Sequence, residues 1–150
     1  MYAFMGIGSV VLVAAPFVIG VWMLRACGRR LRHDPRRLGA TLGLIISSVA
    51  TLIVAGYLST QGGHWVGNVA TDAGGLPVVG WSPRVGDLRV PHFFATHAMQ
   101  VLPLAGLALC NSGRRGYPYL IAASAAYLLF TAAVFVQALL GRPFFSLAAY

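Results

Sequence analysis

Apolar residues run through this chain in four long stretches, Ala3–Leu24, Leu38–Thr60, Val90–Cys110 and Gly116–Gly141, and none of them holds Asp, Glu, Lys or Arg. A helix needs about 20 such residues to cross the hydrocarbon core of a bilayer, and each stretch reaches that length. The pattern predicts an all-α, polytopic membrane protein with four transmembrane helices over residues 3–24, 38–60, 90–110 and 116–141. Residues 1–150 read as a single transmembrane domain with no separate soluble domain. The one long interruption, residues 61–89, is expected as an outer loop between the second and third helices. Composition agrees: 9% of residues are charged, against roughly a quarter in a soluble domain.

Charge fixes the expected orientation. All basic residues other than histidine are arginines; Arg25, Arg29, Arg30, Arg32, Arg36 and Arg37 lie between the first two spans, and Arg114 and Arg115 between the last two. Short arginine-rich loops are retained on the cytoplasmic side. The expected setting is a bacterial inner membrane with both termini and the long loop outside. A net charge of +8 raises nucleic acid as a partner. These arginines flank spans and are not interleaved with stacking aromatics, so anionic membrane lipids are the expected partner and nucleic acid is not. A cleavable signal peptide wants a basic region before its apolar core, whereas no charge precedes Arg25. Cys27 and Cys110 fall at cytoplasmic ends of spans, where thiols stay reduced.

Pro16 and Pro103 lie inside spans and are expected to bend them. Gly39 and Gly43 form a small-x-x-x-small pattern that permits close helix approach, and Ala122, Ser124 and Ala126 give the fourth span a similar face, both read as bundle packing. The long loop is rich in glycine but also carries Trp65 and Trp81. A structureless loop of this length is usually functional or disordered. Its aromatic and valine content predicts a compact cap over the helix ends, although either tryptophan can equally anchor at the interface.

Candidate chemistry concentrates in the third span and the loop. His97 lies about 10 Å into the membrane and Gln100 about 15 Å at 1.5 Å per residue, three residues apart on one face. Buried polar groups at that depth are expected to face the bundle and to be functional as often as structural. Gln137, Tyr57, His92, Asp87 and Arg89 complete an expected outward-side ligand pocket, while Asp87 and Arg89 can instead be a helix cap with a snorkelling cation. His64, His92 and His97 are the candidate metal or haem ligands. His92 and His97 stand roughly 140° apart around one helix, so a b-type haem would need a second ligand from His64 or another chain. A quinone or lipid held by His97, Gln100 and Gln137 needs no missing ligand. No nucleophile motif, P-loop or dinucleotide fingerprint is present.

The stretches Gly63–Gly67, Asp72–Pro77 and Gly86–His97 resemble small bacterial four-helix inner-membrane proteins. The resemblance implies no activity, only that loop and third span work as a unit. Three functions follow as expectations. The first is an accessory or binding subunit, not a stand-alone enzyme, with a pocket for an apolar molecule such as a quinone or lipid. The second is a redox protein binding haem b or a metal. The third is a purely structural subunit, with protein partners in a membrane complex or a homo-oligomer.

Overall fold

The computed structural model describes residues 2–68 and 71–145, with side chains from Gly8 onward. Four long helices dominate these residues: α1, Tyr2–Cys27; α2, Pro35–Ser59; α3, Arg89–Ala108; and α4, Gly116–Leu139. A 3₁₀ segment, Gly28–His33, joins α1 to α2, and a second, Cys110–Arg115, joins α3 to α4. Between α2 and α3 two short strands, β1 (Trp65–Val66) and β2 (Gly86–Asp87), pair antiparallel with Trp65 opposite Asp87.

Three helical segments, Gly8–His33, Pro35–Ser59 and Cys110–Leu139, are long and apolar enough to cross a membrane. The expectation of four such spans is met in part. Helix α3 is 20 residues long, and Arg89, His92, Thr96, His97 and Gln100 dilute its apolar character. The expected positions of the two termini fall on Met1 and residues 146–150, outside the described residues.

Helix α2 is the axis of the bundle, packing against α1, α3 and α4. Its start is set by Asp34, whose carboxylate accepts from the backbone N–H groups of Arg36 (3.1 Å) and Arg37 (3.3 Å), with Pro35 following in the first turn. Those contacts satisfy donors that a helix N-terminus otherwise leaves open. Gly39 and Gly43 bring α2 against α3: a Cβ on Gly39 would lie 2.5 Å from the Leu102 carbonyl oxygen, and one on Gly43 would lie 2.9 Å from the Pro103 ring. From α3, Gly106 meets the Pro35 carbonyl in return. Further along, Ser47 Oγ donates to the Thr96 carbonyl oxygen at 3.0 Å, a bond between the same two helices. Close backbone approach and such bonds are what hold helices together where the surroundings are apolar.

The apolar core forms three layers. At the arginine end, Leu31, Leu38 and Leu120 are buried with Leu42, Leu109 and Tyr117 around them. Ala50, Val54 and Ala95 fill the middle with Phe135. At the loop end Trp81, Val90 and Val134 meet Leu76, Phe94 and Phe144. Trp81 is thus a core residue and not an interfacial anchor, because the loop folds back and buries it. The expected small face of α4 is split: Ser124 is buried and donates to the Leu120 carbonyl, whereas Ala122 and Ala126 are exposed. From Gly8 onward α1 leans on α2 and is otherwise almost wholly exposed, with Val10, Leu12, Val18, Ile19 and Trp22 presented outward.

Candidate functional site

The polar residues of the loop end assemble around one carboxylate. The loop supplies Asp87 at the end of β2, where pairing with β1 and the seat of Gly86 against the Ala138 carbonyl of α4 fix its backbone. Its side chain is fully buried. Oδ1 accepts from the backbone N–H and Nε of Arg89, both at 3.0 Å, and Oδ2 accepts from Nη2 of Arg89 at 2.7 Å and from the Ser82 N–H at 3.0 Å. Both oxygens are therefore engaged, as a buried carboxylate requires.

Arg89 carries the network outward. Its Nη2 also lies 2.8 Å from Asp72 Oδ1 and 2.7 Å from the Gly80 carbonyl oxygen. Asp72 in turn meets His64 Nε2 at 3.0 Å, and the His64 carbonyl accepts from the Leu88 N–H at 2.8 Å. Hydrogen bonding from His64 first, and the Arg89 charge second, hold the Asp72 carboxyl below the usual carboxylate range. Hydrogen bonding to Asp87 raises the already high pKa of the Arg89 guanidinium. Residues from three parts of the loop and the first turn of α3 thus form one connected polar chain, His64–Asp72–Arg89–Asp87. A carboxylate beside an imidazole can orient a general base. Here the guanidinium sits between the two carboxylates. What the arrangement does on its own is lock the loop onto α3.

The other expected site residues are placed apart from this lock. His97 Nδ1 lies 2.7 Å from the Phe93 carbonyl oxygen, and its ring stacks on Phe93 with centroids 3.9 Å apart. Gln100 is exposed, and its amide reaches the carbonyls of Thr96 and His97 on its own helix. Gln137 donates to the Pro143 carbonyl at 2.7 Å. Each of these contacts lies within six residues of its own side chain, and no side-chain-to-side-chain bond joins the three into one site. Gln137 and Asp87 do line one small void with Val90, Val134, Ala138, Arg142 and Phe144, too narrow to admit water. Tyr57 stands at the loop end of α2 with its ring edge-on to Phe135 at 5.7 Å.

Among the described residues no three His, Cys, Asp or Glu side chains come together to hold a metal ion. His64 is committed to Asp72, and His92 and His97 leave their helix in different directions. His92 Nδ1, Thr51 Oγ1 and Trp65 Nε1 are buried without a hydrogen-bond partner. Thr51 and His92 each lie one helical turn toward the loop end from the Ser47–Thr96 bond, so the two helices carry an unsatisfied polar atom at the same level.

Sequence reasoning missed a groove between α2 and α4. It has a volume of about 360 Å³ and is lined by apolar side chains of both helices, among them Ile46, Val49, Ile53, Leu128, Ala132 and Phe135. Its only polar lining residue, Thr131, donates to the Tyr127 carbonyl of its own helix. The signal was the four-residue spacing of Ile45, Val49 and Ile53, which an all-apolar span hides. No family model, curated protein or solved structure matches this chain.

Proposed function

We propose that the chain is an integral membrane binding subunit whose α2–α4 groove takes the hydrocarbon part of a quinone-like or lipid-like molecule. It lies in a bacterial inner membrane with the arginine loops in the cytoplasm and the loop between α2 and α3 outside, as the placement of the arginines favours. All four long helices span, α3 being sheltered by its neighbours. The observation that carries the reading is the groove itself. Its volume falls at the lower end of the range for small-molecule sites, and it has apolar walls with no free polar group. Tyr57, one helical turn beyond Ile53, offers a phenol at its loop-end rim for a polar head. The lock of Asp87 and Arg89 keeps that rim in shape and does not touch the ligand.

Ala132 is exposed within the groove, so Ala132→Phe fills the groove without disturbing the core. Purified wild type, mixed with a decyl-chain benzoquinone and then washed, is expected to retain it in its organic extract, and A132F to retain little. Equal recovery from both proteins, or none from wild type, sinks the reading.

A second reading, a structural subunit of a larger complex, is favoured by α1, whose apolar surface is left almost wholly open. Co-purification of a stoichiometric membrane protein that is lost when Val11 and Val18 are changed to Trp would support it.

A further inference from the structure

The sequence places arginines in two separate loops; the fold makes them one surface. The 3₁₀ segment Gly28–His33 packs against Cys110–Arg115 and against α4. Leu31, 3% exposed, pins the first segment into the core layer with Leu38 and Leu120, and the Arg32 guanidinium lies 5.6 Å over the Tyr117 ring. The basic segment is therefore a folded platform, not a solvated tail. Arg25, Arg29, Arg30, Arg32, Arg36, Arg37, Arg114 and Arg115 are all exposed on it. Asp34 is the only carboxylate among them, and it is already spent on Arg37, at 3.0 Å, and on the start of α2.

Position decides what such a surface binds. The exposed apolar wall of α1 runs through Trp22 and Leu24 and stops at Arg25, and that of α4 begins at Tyr119, just past Arg114 and Arg115. A ligand there meets positive charge at one end and hydrocarbon-facing side chains at the other. Arginine also forms paired hydrogen bonds with phosphate oxygens in a way that a point charge does not. Nucleic acid would satisfy the charge and leave the apolar wall unused.

We propose that Arg29, Arg30, Arg114 and Arg115 form a clasp for the phosphate headgroup of an anionic phospholipid, whose acyl chains lie along α1 and α4. The site rests on the membrane reading but not on the α2–α4 groove, which lies in the other half of the bundle. Arginines near a membrane surface each favour anionic lipid, so four acting together give a preference of about tenfold or more.

Native mass spectrometry of the full detergent-solubilised chain, titrated with phosphatidylglycerol and with phosphatidylcholine of the same acyl chains, tests this. Wild type is expected to prefer the anionic lipid by about tenfold or more, and R29Q/R30Q/R114Q/R115Q to bind the two equally. No preference in wild type, or an undiminished one in the variant, overturns the clasp. If the fourfold variant does not fold, R114Q/R115Q is expected to lose part of the preference, and an unchanged value overturns the proposal. A short single-stranded DNA that displaces phosphatidylglycerol from wild type would assign the surface to nucleic acid and overturn it equally. A132F is expected to keep the preference, which separates this site from the groove. Recovery of the chain without detergent would overturn the membrane reading and the clasp with it.

Discussion

Arg89 grips Asp87, two residues before it, with both ends of its guanidinium: Nε lies 3.0 Å from Oδ1 and Nη2 lies 2.7 Å from Oδ2. The carboxylate is fully buried, so removing the cation leaves a charge with no adequate partner. Breaking one side of such a pair costs about 3 kcal/mol or more. Arg89→Gln is expected to lower the thermal midpoint and to speed amide exchange in residues 63–88 while sparing α2. Asp87→Asn does the same to a smaller degree, because an amide keeps some of the hydrogen bonds. Protection of the loop unchanged in R89Q would show that the pair does not hold it.

Asp72 makes the outer part of the lock sensitive to acid. Its folded-state pKa lies below the ordinary value of 3.8, so its contribution is fully present above that value and is lost as pH falls through the lowered one. Loop protection is expected to hold from neutral pH down to about 4 and to fall below it. In Asp72→Asn the acid-sensitive step disappears. A wild-type profile that declines instead between pH 6 and 8 would point to a different titrating group.

At the α2–α3 contact the room left is less than a methyl group. Gly39→Ala places a Cβ 2.5 Å from the Leu102 carbonyl oxygen, and backbone cannot yield as a flexible side chain does. Gly39→Val is expected to part the two helices and to abolish recovery of folded protein, whereas Ser47→Ala loses one interhelical bond and on the order of 1 kcal/mol. Equal yields of G39V and wild type in mild detergent would contradict the contact.

Val78 has φ +72°, and the Val79 N–H donates to the Pro77 carbonyl at 2.9 Å, a γ-turn about a fully exposed β-branched residue. That turn is rare and strained, and left-handed backbone costs a residue with a Cβ roughly 1–2 kcal/mol. Val78→Gly is therefore expected to stabilise the loop by about 1 kcal/mol, after the greater freedom of glycine in the unfolded chain is set against it. Slower exchange at Gly75–Gly80 would show it, and faster exchange would refute it.

The helices were legible because apolar length is a property of sequence alone, as was the charge asymmetry of the arginine loops. Gly39 and Gly43 could be read as a contact surface because only a missing side chain permits the approach seen there. The site was legible only in part. Asp87 and Arg89 were picked out as residues, but their two-ended pairing with each other was not. Their joining to Asp72 and His64 depends on a loop path that glycines leave open to the chain. His97 and Gln100 share a face by spacing, but spacing does not reveal that a polar side chain can fold back on its own helix carbonyls. The α2–α4 groove was invisible for the opposite reason: every α2 residue lining it is apolar, and an apolar residue in a span does not show whether a neighbour covers it.

Gly86 rests on the Ala138 carbonyl, and Gly141 lies against the Val66 carbonyl, so the cap between α2 and α3 is seated on the far end of α4. During synthesis that seat emerges after the loop and α3. The cap can close only after α4 has packed beside α3, which makes a closed cap a report that the bundle is assembled. A chain ending before Ala138 is expected to leave residues 63–88 open to protease even though every residue of the charge lock is present.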